Sequence, residues 1–168
     1  MSELNFKLLK KFLELNKIHH AEIKFNGAGD SGAIDEIALY DKNNNQLPEK
    51  ILKMNCMVKS TKDISVFNPK VEKWMTTKTY SSLTMEGFIE KLSYEVIEIP
   101  GVDWYNNEGG GGTVDIDFST EEIKLYICRY EDTSQYDEEG EIIGDFNTKI
   151  AYEYEGTYDI KEIMRVMT

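Results

Sequence analysis

The sequence predicts an α+β domain, a mostly antiparallel sheet of about five to six strands with helices packed on one face. Three observations lead there. AEIKFN (21–26), TVDIDF (113–118) and EIKLYICRY (122–130) alternate apolar and polar residues, the period of a strand with one buried face. Residues 3–17 and a stretch ending at Pro100 instead repeat apolar side chains at helical spacing. The strands of the second half follow one another without intervening helices, which argues against parallel βαβ units. A chain of 168 residues without a linker or repeat reads as one domain, 1–168.

Taken in order, residues 3–17 set Leu8, Leu9, Phe12 and Leu13, flanked by Leu4, Phe6 and Leu15, against Lys7, Lys10, Lys11 and Glu14. This is an amphipathic helix with Ser2 as its N-cap. AEIKFN then runs as a strand, GAGDSG (27–32) turns the chain, and AIDEIALY (33–40) returns to make a hairpin that stops at DKNNNQLP (41–48). PEKILKM (48–54) reads as a short helix with Pro48 at its first position, and CMVKS (56–60) and ISVFN (64–68) as weaker extended segments. Leu83, Phe88, Ile89, Leu92 and Val96 mark a second helix, capped by Ser81 or Ser82 and ended by Pro100 and Gly101. TVDIDF, EIKLYICRY and TKIAYEYEGTY (148–158) supply three strands, and DIKEIMRVM (159–167) a closing helix. The connection at 131–147 holds seven acids and no base, an acidic hairpin loop or flap.

Charge divides the chain. The net charge is −12, yet residues 1–91 carry 14 Lys against 12 acids, and residues 92–168 carry five bases against 19 acids. The whole excess lies in the second half. Such a field repels phosphate backbones and attracts basic protein surfaces, so direct nucleic-acid binding is disfavoured. No stretch has the length of apolar run that spans a bilayer or the h-region of a secretion signal, and Cys56 and Cys128 lack metal or redox spacing. The expectation is a cytoplasmic protein with two reduced core thiols, no membrane partner and no cofactor.

Glycines 27, 29 and 32 have the G-x-G-x-x-G spacing of a dinucleotide loop. The remaining requirements fail. Eight residues between Gly32 and Asp41 are too few for the crossover helix, Glu49 follows Pro48 in a short helix where a strand-end acid is needed, and Asp30 would oppose a pyrophosphate. Ser31 has no base beside it, since His19 and His20 lie a strand length away, so no catalytic residue is assigned.

GVDWYNNEGGGGTVDIDF (101–118) is the second unusual stretch, because four consecutive glycines imply close backbone approach or special dihedrals. G-x-G-D-S-G after a strand and W-x-N-N-E-G before one resemble an uncharacterised family of small bacterial and phage proteins sharing a GDSG turn and a W-x-N-N-(D/E)-G loop. The resemblance covers residues 22–37 and 97–130, leaves the acidic tail from Glu131 outside, and carries no activity. It implies a shared fold and a shared site of Gly29, Asp30, Ser31, Gly32, Trp104, Asn106, Asn107 and Glu108. Were the two loops to meet, Asp30, Asp103, Glu108, Asp115 and Asp117 could offer oxygen ligands to Mg²⁺ or Ca²⁺. Trp104 and Tyr105 beside the two asparagines also suit a recognition surface or a lid over the sheet end.

The leading functional expectation is non-enzymatic: an acidic binding or inhibitory protein that presents carboxylates to a basic partner, such as a nucleic-acid-handling protein. A phage-encoded anti-defence inhibitor that imitates DNA, of the anti-CRISPR kind, is one concrete form. The partner-facing residues would be Asp132, Asp137, Glu138, Glu139, Glu141 and Asp145. The rival reading is a metal-dependent hydrolase or nucleotide-sensing domain built on the two loops.

Overall fold

The computed structural model describes residues 3–137, 139–142 and 147–167, which leaves the expected cap Ser2 outside. Helix α1 (Glu3–Leu15) leads into β1 (His20–Ala28) and β2 (Ser31–Tyr40). A 3₁₀ turn over Glu49–Ile51, with Pro48 as its N-cap, replaces the expected short helix. Then come β3 (Asn55–Asn68), β4 (Lys73–Thr84), α2 (Met85–Glu98), β5 (Gly110–Asp117), β6 (Glu122–Asp132), β7 (Thr148–Asp159) and α3 (Ile160–Val166). Five strands form one antiparallel sheet in the order β2-β1-β5-β6-β7, and β3 and β4 form a separate two-stranded ribbon. The expected fold class is what the chain adopts.

The period-two pattern decides which face is covered. Ile23, Val114 and Leu125 stand side by side across β1, β5 and β6, as do Ala21, Ile116 and Ile123, and all six are buried. Leu9, Phe12 and Leu13 of α1, Phe88, Ile89, Leu92, Val96 and Ile97 of α2, and Ile160, Ile163 and Met164 of α3 close over them. Each of the largest buried side chains contributes roughly 1.5–3 kcal/mol relative to exposure. Rows of the opposite parity face solvent: Glu22, Asp115, Lys124 and Thr157 in one, His20, Asp117, Glu122 and Asp159 in the next. Both cysteines are buried and free.

Glu121, in the β5–β6 turn at φ +64°, ties the covered side together. Its carboxylate pairs with Lys10 of α1 and Lys161 of α3, which hold its pKa below the usual carboxylate range. Both ammonium groups also lie 5.0 Å from the centre of the Phe6 ring, a cation–π arrangement on each side.

Two expectations change. Residues 55–84, read as two weak extended segments and a helix cap, form one long hairpin, so Ser81 and Ser82 belong to β4. The cap of α2 is Thr84, whose hydroxyl accepts from the Gly87 N–H at 3.1 Å. The ribbon packs at its base on α1 and α2, where Cys56 and Val58 are buried, while its distal half is exposed. With solvent on both sides, that half has no reason to alternate in hydropathy.

Thr84→Ala is expected to lower unfolding free energy by about 1 kcal/mol in a denaturant titration, the usual cost of a lost N-cap. Ser81→Ala and Ser82→Ala should stay within about 0.5 kcal/mol. An equal loss at Ser81 or Ser82 would contradict the assignment.

Candidate functional site

The two glycine-rich stretches meet at one end of the sheet. Ala28 and Ser31 are register partners, so Gly29 and Asp30 form a two-residue hairpin loop with φ of +58° and +76°. Both values are positive, as a type I′ turn requires, and Asp is among the few side-chain-bearing residues that tolerate it. The loop seats on the segment 103–109: the Gly29 N–H donates to the Asn107 carbonyl and the Asp30 N–H to the Tyr105 carbonyl, each at 3.0 Å.

Trp104 locks the joint. Its ring is 5% exposed and stands edge-on to Phe25 (5.0 Å, 76°) and to Tyr105 (5.5 Å, 87°). It fills the space a β-carbon on Gly32 would need, which explains glycine there. Gly109 sits at φ +75°, and a β-carbon would strike the Gly27 carbonyl. Asn106 donates from Nδ2 to Asp103 Oδ1 at 2.7 Å, the Gly109 N–H donates to the Asn106 carbonyl at 2.9 Å, and the Tyr130 N–H to the Gly109 carbonyl at 2.8 Å. Asn107, at φ +55°, and Glu108 complete the loop, exposed and half-buried respectively.

This geometry argues against phosphate cradling. The Gly29 and Asp30 amides already donate to carbonyls, and the loop runs into β2, so it supplies no helix N-terminus. Ser31 Oγ lies 3.5 Å from its own hairpin's Ala28 carbonyl. The suggested oxygen ligands do not gather either: among the described residues no three His, Cys, Asp or Glu side chains are arranged to hold a metal ion. Asp117 caps the β5–β6 turn, accepting from the Ser119 N–H (2.8 Å), Ser119 Oγ (2.6 Å) and the Thr120 N–H (3.1 Å). Asp115 stands across from Glu22, and burial followed by that neighbouring charge pushes its pKa up.

The start of the flap lies at this same end. Asp132 accepts from the Ser134 N–H at 2.7 Å and from the Tyr136 hydroxyl, and its pKa is held low by the Ser134 side chain, then by the Tyr136 hydroxyl and that N–H. The Tyr136 pKa is raised by its bond to Asp132 first, then by burial and by the charges of Asp132 and Glu108. Asp137 Oδ1 accepts from the N–H groups of Glu139 (3.0 Å) and Glu141 (2.8 Å). Asp132 and Asp137 thus shape turns as well as carry charge. Glu139 and Glu141 are exposed, and Glu138 and Asp145 lie outside the described residues. Glu131 pairs with Lys149 at 2.8 Å.

Sequence reasoning missed the apolar part of this end. Beside Tyr105, which the sequence marks, Tyr136, Ile142, Ile150 and Tyr152 are between 41% and 50% exposed amid the carboxylates. It also missed Glu153 and Glu155 on the open face, where Glu153 accepts from the Tyr126 hydroxyl at 2.8 Å and pushes the phenol's pKa up to about 12. The alternation of TKIAYEYEGTY was the available signal.

The family model described as a family of unknown function, DUF6878, matches residues 1–139. The match takes in the ribbon and the flap as far as Glu139, so the family extends past Glu131, where the sequence resemblance stopped. No curated protein and no solved structure matches the chain. No helix among the described residues is long and apolar enough to cross a membrane.

Trp104→Ala should cost about 3–5 kcal/mol and Gly32→Ala about 1–3 kcal/mol in equilibrium unfolding. Because the new methyl would occupy space the ring vacates, the double variant should be less destabilised than the sum of the two. Strict additivity would contradict the packing described. Asp115 has a raised folded-state pKa, so its contribution is favourable below the unfolded value and is lost as pH rises through the folded one. Asp115→Asn is therefore expected to raise Tm at pH 7, with the gain shrinking as pH falls through the raised folded pKa and gone below the unfolded value of about 4. A gain that grew at low pH would contradict it.

Proposed function

The chain belongs to this family of unknown function, and on that premise we propose that it is a non-enzymatic binding protein whose acidic second half grips a basic protein surface. The observation that carries the reading is the run of carboxylates from one end of the sheet onto its open face. Glu108, Asp137, Glu139 and Glu141 belong to the loops at one end of the sheet, Glu131 and Asp132 to the end of β6 beside them, and Glu153, Glu155, Asp115 and Glu22 continue onto its open face. Lys24 and Lys124 are the bases of those open-face rows. The helices occupy the other face.

Spaced carboxylates on a twisted antiparallel sheet offer a basic surface what a phosphate backbone offers, a line of negative charge without a deep pocket. Nucleic-acid-handling proteins present such surfaces, and an inhibitor of one, phage-encoded or otherwise, is the form of partner binding this chemistry fits best. The interlocked loops serve as the rigid base of the acidic end. Their amides are engaged with each other, which favours a binding role over the hydrolase or nucleotide-sensing alternative.

Capture of partners from a lysate, followed by a salt titration, tests the reading. Bound proteins should be basic and should leave as ionic strength rises, and Glu139→Lys with Glu141→Lys should weaken capture on the order of tenfold or more. Partners that are acidic, or that survive high salt and are indifferent to the charge reversal, would overturn it.

A further inference from the structure

The ribbon of β3 and β4 ends in an apolar tip that is exposed among the described residues. Trp74 is 70% exposed and stands edge-on to Phe67 at 5.6 Å, while Val66, Val71 and Met75 around it are about half exposed. A two-stranded ribbon is marginal alone in water, and five large apolar side chains at an exposed tip mark a contact surface. Its charge is opposite to that of the rest of the molecule: residues 55–84 carry five lysines against two acids in a chain of net charge −12.

We infer that the tip docks on the acidic loop end of a second copy of this chain, so that two molecules exchange ribbons. The inference rests on the reading of that end as a site for cationic surfaces, and names one occupant. The match is twofold. The tip sets Phe67 and Trp74 beside Lys70 and Lys73, with Glu72 the one acid among them, and the loop end sets exposed Tyr105, Tyr136, Ile142 and Tyr152 among Glu108, Glu131, Asp132, Asp137, Glu139 and Glu141. A ribbon-to-ribbon contact would instead bring like charges together. Reach is sufficient: the 14 residues of β3 extend roughly 45 Å at about 3.3 Å each, against a radius of gyration of roughly 15 Å for a domain of this size. A reciprocal exchange closes as a two-fold dimer and uses each surface once.

Sedimentation of the full chain at low and high salt tests this, with thermal unfolding to confirm that each variant is folded. The wild type is expected to be a dimer that dissociates as salt rises. Trp74→Glu, and separately Glu139→Lys with Glu141→Lys, should be monomeric. Mixing the two should restore association, because each supplies the surface the other lacks. A wild type that stays monomeric at on the order of 100 μM in low salt would overturn the inference. So would a dimer indifferent to both variants, a mixture that stays monomeric, or a tip whose Trp74-dependent partner proves to be DNA or RNA. Binding of a lysine-rich peptide to Trp74→Glu separates the two levels. If it binds while the wild type is monomeric, the ribbon assignment fails and the acidic end stands; if it does not bind, the acidic end fails too.

Discussion

A five-stranded antiparallel sheet with helices on one face has one face left for solvent, and the rest of the molecule follows from that asymmetry. Residues of one parity along β1, β5 and β6 are aliphatic and meet the three helices. An ionised carboxylate placed there would lose its hydration without a partner, at a cost of several kcal/mol. The acids of residues 92–168 are therefore kept off the buried parity and lie at the open parity, in the turns and the flap, and on the helices, where Glu95 and Glu98 belong to α2 and Glu162 to α3. On the strands, the alternation is what sets Glu22, Asp115 and Glu122 on the face away from the helices.

The end of the sheet that carries the flap is held by the interlock of the two loops. Amide groups of the β1–β2 turn donate to the 103–109 segment, and the Trp104 ring fills the space above Gly32. Gly109 reaches in turn to the Tyr130 amide at the start of the flap. Hairpin tip, loop and flap thus form one continuous set of contacts at the end of the sheet. The features that first suggest a nucleotide loop are explained by the close approach of two backbones, and the exposed carboxylates and tyrosines are held by them.

The fold was legible wherever one face of an element is buried. AEIKFN, TVDIDF and EIKLYICRY alternate because Ile23, Val114 and Leu125 are covered while Glu22, Asp115 and Lys124 are not. β4 was illegible for the same reason inverted: Trp74 and Met75 face solvent on opposite sides of a ribbon, so burial leaves no period in the sequence. Thr84 was displaced from the expected cap because Ser81 and Ser82 have equal capping chemistry and differ only in lying within a strand. At the site, glycines 109–112 signalled close approach, yet nothing local says that the amides of Gly29 and Asp30 point at Asn107 and Tyr105. Such pairings arise from tertiary register. Asp117, which appears free to share an ion with Asp115, is claimed by the turn it caps, and the exposed Tyr136 and Tyr152 carry no pattern to distinguish them from core tyrosines.

Residue-resolved mapping of a lysine-rich peptide by amide chemical shifts tests the central claim most directly. Perturbations should converge on Glu108, Asp132, Glu139, Glu141, Glu153 and the tyrosines beside them. They should fade as salt approaches about 1 M, where charges are screened within about 3 Å. Shifts that scatter over the helices, or that persist undiminished in salt, would contradict the account.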